Sequence, residues 1–296
     1  MIARIQQALA FIILTGLAAW TWHVLPDFFL VFIGFMAIAG VYIAYFAILF
    51  IAIHHFNRTD SGPRATLWAL FQACLREVFT APRVFLWRQP FRTQVIPDFL
   101  PASDKPGVVF IHGFFCNRAF WAPWMAQLQS QNRAFAAVTL EPAFGSIDDY
   151  PATIEAAVAK VVQVTGQAPV LICHSMGGLA ARAWLRCSPS NAARIKHVIT
   201  IGTPHFGTML SLKKTLLPFI NTRQMQHCGA WTQQLAKNES LGHYAKFTCW
   251  YSNCDNIVAP TSTAMLPGAD NRLVTAQGHV SMAFDEKVIQ ESLALL

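Results

Sequence analysis

Apolar residues are distributed unevenly along the chain, and the unevenness alone divides it. From Ala8 to Leu25 no residue is formally charged, and a second uncharged stretch, rich in Phe, Ile, Val and Ala, runs from Phe28 to Ile53. A helix needs about 20 apolar residues to cross a hydrocarbon core, so each stretch is long enough to span. Pro26 and Asp27 separate the two, flanked by His23 and by aromatic residues suited to a membrane interface. Residues 1–57 are therefore expected to form a transmembrane helical hairpin. The alternative is a cleaved signal peptide, since Arg4 gives a charged start. The second stretch follows at once, however, and would still anchor the chain. The turn between the stretches holds no Lys or Arg, whereas Arg4 lies ahead of them and Arg58, Arg64 and Arg76 follow. That asymmetry predicts both ends, and the rest of the chain, on the cytoplasmic side.

Residues 58–93 form a linker region. Between Pro63 and Thr80 the apolar residues Leu67, Leu70, Phe71, Cys74, Leu75, Val78 and Phe79 have the spacing of one helical face. Such a helix either lies on the membrane or packs on the domain that follows. From residue 94 to the end, short β-branched runs alternate with helical patterns. Val108–Ile111, Ala134–Leu140, Val170–Cys173, Val198–Ile201, Phe247–Tyr251 and Leu273–Thr275 read as strands. Ala119–Gln131, Ile147–Thr165, Gly177–Arg186 and Met282–Leu295 read as helices. This order predicts an α/β domain over 94–296, a mostly parallel sheet covered on both faces. A nucleotide-binding fold would give the same alternation, so motifs must decide.

Composition agrees with a lipid-embedded portion: 54% of residues are apolar and 12% charged. The net charge of +7 raises the question of nucleic acid, but the basic residues are dispersed and no basic-aromatic motif appears, so an anionic lipid surface is the simpler partner. Seven cysteines without a C-x-x-C pair fit a reducing compartment as small buried thiols, although Cys249 and Cys254 are close enough in sequence to leave a bridge open.

The chemistry centres on Val170-Leu-Ile-Cys-His-Ser-Met-Gly-Gly178, a buried strand running into Ser175 and then an Ala-rich helix. A strand-to-helix turn of this kind exposes a serine hydroxyl as a nucleophile. Cys173 replaces the first glycine of the usual G-x-S-x-G, a small residue at a position expected to face neighbouring elements rather than substrate. A serine needs an imidazole to take its proton and a carboxylate to hold that imidazole in the right tautomer. In the order Ser, Asp, His, the acid is expected at Asp255, with Asp270 and, less readily, Glu239 as rivals. The base is expected at His279, between the last strand and the terminal helix. His174 should turn away from the serine it adjoins. His112, His197 and His205 have structural readings as good as functional ones. For the oxyanion, the Met176 N–H follows the nucleophile and the Phe114 N–H follows the strand and His-Gly of Val108–Phe114.

With these residues in place, the chain from Val108 onward resembles bacterial serine lipases and esterases of the α/β-hydrolase superfamily, especially the small Bacillus-type lipase class. The resemblance rests on F-I-H-G-F at 110–114, H-S-M-G-G at 174–178, G-T-P-H-F-G at 202–207, Y-S-N-C-D-N-I-V at 251–258 and G-H-V at 278–280. It implies an α/β-hydrolase fold, Ser175, Asp255 and His279 as triad, and Phe114 and Met176 as oxyanion donors; the hairpin ahead of the domain adds the expectation of a bacterial inner-membrane location. The sequence departs from that class in its hairpin and linker and in an insertion, about 206–246, that minimal lipases lack. The insertion carries Met209, Leu210, Leu212, Leu216, Leu217, Phe219, Ile220 and Met225 around Lys213 and Lys214. It reads equally as a lid over an acyl pocket or as a cap packed on the core. Larger lipases of the superfamily bind calcium through an Asp two residues after the histidine. Ser281 stands there, and no other metal-ligand spacing appears, so neither metal nor cofactor is expected.

The expected activity is carboxylic ester hydrolysis through an acyl-enzyme, with membrane lipid as a natural source of ester. The same residues would equally serve an acyltransferase or thioesterase. A catalytically inactive membrane adaptor on a hydrolase fold is the alternative from another class.

Overall fold

The computed structural model describes residues 1–25, 27–211, 219–237, 239 and 241–296. Helix α1 spans Ile2–Val24 and α2 spans Phe28–Phe56. Both are long and apolar enough to cross a membrane. Asp27 starts α2 by accepting the N–H groups of Phe29 and Leu30 at 3.0 and 3.2 Å. Most of the hairpin surface is exposed. Its buried residues lie at the ends nearest the sheet, Ile2, Gln6 and Ala10 on α1 and Phe46, Phe50 and Ile53 on α2.

Helix α3, Leu67–Pro82, begins at Thr66, whose hydroxyl accepts the Ala69 N–H at 3.1 Å. Its apolar residues do not form one buried stripe. Leu70, Ala73, Glu77 and Ala81 face the domain, while Leu67, Trp68, Phe71, Leu75 and Phe79 point outward and are exposed. Pro82 has no N–H to offer the carbonyl one turn earlier, and the Tyr42 hydroxyl donates to that Val78 carbonyl at 2.9 Å instead. The chain then widens into a π-helical turn, Arg83–Arg88, and a last turn α4, Gln89–Phe91.

The remaining elements build one sheet of six parallel strands among the described residues: β1 Val108–Ile111, β2 Phe135–Ala137, β3 Val170–His174, β4 His197–Ile201, β5 Phe247–Tyr251 and β6 Asp270–Leu273, in the order β2-β1-β3-β4-β5-β6. Strands buried on both faces are mostly apolar, and alternate side chains enter opposite cores. Val109, Ile111, Leu171 and Cys173 join the core under α6, Pro151–Thr165, and α7, Met176–Cys187. Val108, Phe110, Val170 and Ile172 join the other, against Trp121, Trp124 and Leu128 around α5, Ala122–Ser130, and Val288 and Ile289 of α11, Glu286–Leu293.

Several boundaries differ from the sequence reading for identifiable reasons. Pro123 and Pro151 cannot donate within a preceding turn, so the expected helices over 119–131 and 147–165 each open with a 3-10 turn before the α-helix proper. Strand β2 is shorter than 134–140. Strand β6 lies earlier than 273–275, on Asp-Asn-Arg-Leu, an edge segment of weak β-propensity held by pairing to β5. The insertion contributes α8 Ile220–Gln224, α9 Ala230–Lys237 and α10 Leu241–Tyr244. Met225, Leu235 and Tyr244 are buried in the core shared with α7. The expected lid residues Leu212, Lys213, Lys214, Leu216 and Leu217 lie outside the described residues.

The strand order reverses beside β1: the chain steps outward to β2, then returns past β1 to β3. In open parallel sheets a crevice forms at the carboxyl ends of the strands flanking such a reversal. Here those ends carry Gly113-Phe114 after β1 and Ser175 after β3.

Candidate active site

Ser175 sits between β3 and α7 with φ 54° and ψ −126°, a conformation that non-glycine residues rarely adopt. Its neighbours hold it there. The Ser175 N–H donates to the Ile201 carbonyl at 2.9 Å, and the Thr203 hydroxyl donates to the Ser175 carbonyl at 2.9 Å. Helix α7 must then leave against β1. A Cβ on Gly177 would lie 2.3 Å from the Ile111 carbonyl oxygen and 2.7 Å from that of His112, both backbone atoms that cannot swing away. Cys173, two residues before the serine, is fully buried in the core beneath α6 and α7, where burial pushes its thiol pKa up.

His279 and Asp255 meet in the loops beyond β6 and β5. His279 Nδ1 lies 2.9 Å from Asp255 Oδ2 and 3.1 Å from Oδ1. The Asp255 carboxylate is fixed in turn: Oδ1 accepts the N–H groups of Ile257 and Val258, each at 2.8 Å. Asn256 Oδ1 accepts the His279 N–H at 2.9 Å, so adjacent residues of one loop hold both the ring and the backbone of the histidine. Burial alone would lower the His279 pKa. The charge and hydrogen bond of Asp255, with the charge of Glu77, outweigh it and raise the pKa above the ordinary value.

The pair stands beside the serine turn. The His174 ring, next to Ser175, is 4.7 Å from the His279 ring, and its Nε2 donates to the His279 carbonyl at 3.1 Å. The side-chain and backbone hydrogen bonds of His279 among the described residues go to Asp255, Asn256 and His174, and the Ser175 hydroxyl is not among these partners. In substrate-free hydrolases the serine–histidine bond is often long and tightens only in the reacting complex.

The loop after β1 closes the other side. A Cβ on Gly113 would fall 2.8 Å from Ser175 Cβ, which sets the Gly113–Phe114 backbone directly against the serine. Among the described residues the Phe114 and Met176 N–H groups donate to no carbonyl or side chain, leaving two free donors in this crevice. His112 shapes the loop as a neutral residue. Its Nδ1 donates to the Gly113 carbonyl at 2.8 Å, its Nε2 accepts the Leu140 N–H at 3.0 Å, and burial brings its pKa down to about 4. Over the crevice Phe114 packs with Phe144 and with Phe219 of the insertion, the last two stacked at 4.1 Å.

The rival residues are elsewhere. Asp270 is an exposed residue at the start of β6, the opposite end of the sheet, and pairs with Arg272 at 2.8 Å. Glu239 is bound by the buried Arg182 guanidinium at 2.5 Å and by the Tyr244 hydroxyl at 2.7 Å, tying the insertion to α7. His174 turns from the serine as expected, stacking on Phe120 at 4.4 Å, and burial lowers its pKa far enough to keep it neutral. His205 and His197 are engaged with the Thr200 and Thr248 hydroxyls at 3.1 and 2.9 Å. Cys249 and Cys254 are buried free thiols, so the open bridge is not formed. Among the described residues no three His, Cys, Asp or Glu side chains converge as a metal site. Sequence reasoning did not find Thr203, Asn256 or Glu77. The first two sit inside quoted motifs, G-T-P-H and N-C-D-N, but the third carries no local signal.

Residues 108–246 match a family model described as the alpha/beta hydrolase family. Among solved structures, the mature form of a Bacillus licheniformis lipase superposes with a TM-score of 0.57 at 19% identity, covering 67% of this chain and 95% of that one. Lipase B of Aspergillus fumigatus superposes with a TM-score of 0.55 at 17% identity, covering 64% of this chain and 52% of that one. At such identities the likeness is one of fold. No curated protein matches the sequence significantly.

Proposed function

We propose that this chain, which has the α/β-hydrolase fold, is a membrane-anchored serine hydrolase that cleaves carboxylic esters, with Ser175 as nucleophile, His279 as base, Asp255 as the acid that orients it, and the Phe114 and Met176 N–H groups as oxyanion donors. The observation that carries this reading is the buried Asp255–His279 pair set beside a serine held at positive φ.

On this reading Asp255 takes the Nδ1–H of His279, which leaves Nε2 as the acceptor. Nε2 removes the Ser175 proton as Oγ bonds to the ester carbonyl carbon, and the carbonyl electron pair moves onto oxygen, toward Phe114 and Met176. Collapse returns the pair, the C–O bond to the alcohol breaks, and the imidazolium protonates the leaving alcohol. Water then repeats the sequence against the acyl-serine and releases the acid. The aromatic roof of Phe114, Phe144 and Phe219 favours an apolar acyl group over a charged one.

The membrane part of the proposal draws on exposed apolar surface. Besides the exposed apolar side chains of the hairpin, Trp68, Phe71, Leu75 and Phe79 of α3 and then Leu86 and Trp87 are also exposed, an accumulation of large apolar side chains that a lipid surface would cover. The detergent-solubilised protein assayed on p-nitrophenyl esters from acetate to palmitate should hydrolyse them, longer chains with lower KM until solubility intervenes. A folded preparation that turns over no ester refutes the assignment. Alkaline carbonate should leave the chain with the membrane pellet, and its release would remove the anchor.

A further inference from the structure

We propose that Glu77, on the linker helix α3, is a positioning residue for the His279 base, clamping the loop that carries the imidazole and presenting a second carboxylate to it. The proposal rests on the reading of His279 as base.

The geometry is specific. Glu77 is buried, and its two carboxylate oxygens accept from two consecutive amides immediately after the histidine: Oε1 takes the Val280 N–H at 2.9 Å and Oε2 takes the Ser281 N–H at 2.9 Å. Gly278, immediately before the histidine, lies against the same group, where a Cβ would fall 2.6 Å from Glu77 Oε2. The neighbouring Arg76 donates to the Ala276 carbonyl at 3.0 Å. The backbone from 276 to 281 is thus gripped from the domain side by Ser252, Asn256 and His174, and from α3 by Arg76 and Glu77.

A buried carboxylate is costly unless its charge is used. No Lys or Arg forms an ion pair with Glu77 among the described residues; its hydrogen-bond partners are the two amides, and the ionisable groups around it are His279, Asp255, Cys74 and Tyr42. Two N–H donors, one to each oxygen, suit the ionised form, although burial raises the Glu77 pKa. An ionised Glu77 stabilises the imidazolium that forms as Ser175 attacks. A helix that served only to attach the hairpin would need neither the charge nor its placement on the histidine loop. The arrangement puts one support of the base on the segment that joins the membrane hairpin to the domain.

The test is full-length Glu77→Gln in detergent, with Glu77→Asp and His279→Ala beside it, assayed on a soluble short-chain ester. Gln keeps the side-chain size, loses the charge and turns an N–H₂ toward an amide N–H. The expected loss in kcat lies between tenfold and on the order of 10²-fold, the range for a displaced catalytic group, with KM nearly unchanged. The acid limb of kcat/KM should move to lower pH, because one of the negative charges facing the imidazolium is gone; Asp255 and the neutral His174 remain. Glu77→Asp should lose kcat but keep the parent acid limb. Rates are normalised to sites titrated with a fluorophosphonate, and where Glu77→Gln does not fold, the Asp variant supplies the reading. Parent-like kcat and acid limb in Glu77→Gln, or in the Asp variant an unchanged kcat or a shifted acid limb, would overturn the proposal even where thermal stability falls. If His279→Ala hydrolyses the ester like the parent, the assignment of the base fails first and this inference with it.

Discussion

Replacing Asp255 by Asn tests the hydrogen-bond logic of the proposed site because the surroundings dictate which way the amide must turn. Asp255 Oδ1 accepts two backbone N–H groups at 2.8 Å, from Ile257 and Val258. An Asn Nδ2 placed there would leave both donors without an acceptor, at about 1–3 kcal/mol each. The amide oxygen therefore takes the Oδ1 position and the N–H₂ takes that of Oδ2, which is 2.9 Å from His279 Nδ1. There it donates to Nδ1 and forces the ring proton onto Nε2, the atom that must accept from Ser175. The imidazole is held in the wrong tautomer with its geometry intact. The loss in kcat should be about 10⁴-fold, the size seen when a serine triad loses its tautomer control, or about 5 kcal/mol of barrier. KM should change little, and the melting temperature should stay within a few degrees, since the two loop amides remain satisfied. Steady-state kinetics on a soluble ester, with thermal denaturation as control, decides it. A folded Asp255→Asn variant within tenfold of the parent kcat refutes the reasoning.

Three further outcomes follow from the same structure. The acid limb of kcat/KM should have its midpoint above 6.5, the ordinary histidine value, because Asp255 and Glu77 outweigh burial and hold the His279 proton more tightly; a pH–rate profile with the midpoint below that value contradicts it. By the same sign, the extra stability of the protonated pair is present below the unfolded-state pKa and is lost as pH rises through the folded one. Gly177→Ala should destabilise the fold by about 3 kcal/mol, the upper end for overpacking, since the new Cβ would meet backbone oxygens at 2.3 and 2.7 Å; denaturant melts showing no loss would exclude that clash. Arg182→Met should cost about 3 kcal/mol, the lower end for breaking an enclosed ion pair, by leaving the largely enclosed Glu239 carboxylate without its counter-ion and with the Tyr244 hydroxyl as its remaining partner. The same melts should show part of that stability returning in the double variant with Glu239→Gln, and a double variant no better than the single one would contradict the pairing argument.

How far the sequence revealed this arrangement depended on whether each partner lay in a local pattern. Ser175 was legible because an apolar run, Val170–Cys173, leads into His-Ser-Met-Gly-Gly, and that run lies within β3, Val170–His174. Asp255 and His279 were legible by their order and their loops after β-branched runs, and the structure brings the two side chains together. Strand β6 was misplaced because Asp-Asn-Arg-Leu carries no strand signal, and its pairing with β5 is a tertiary effect. On α3 the apolar spacing predicted a helix but not its division into an inner and an outer face, since both faces are apolar and only the domain distinguishes them. Glu77 was invisible: a lone acid amid apolar neighbours gains a partner only when a loop far along the chain folds against it.

The central claim is that the Ser175 oxygen becomes covalently bonded during the reaction, and mass spectrometry measures that directly. Treatment of the detergent-solubilised protein with a fluorophosphonate should add one probe mass per chain, mapped to the peptide holding Ser175, with hydrolysis lost in parallel. The Ser175→Ala protein should show neither the adduct nor the hydrolysis. An adduct on another residue, or ester hydrolysis by Ser175→Ala at the parent rate, contradicts the account.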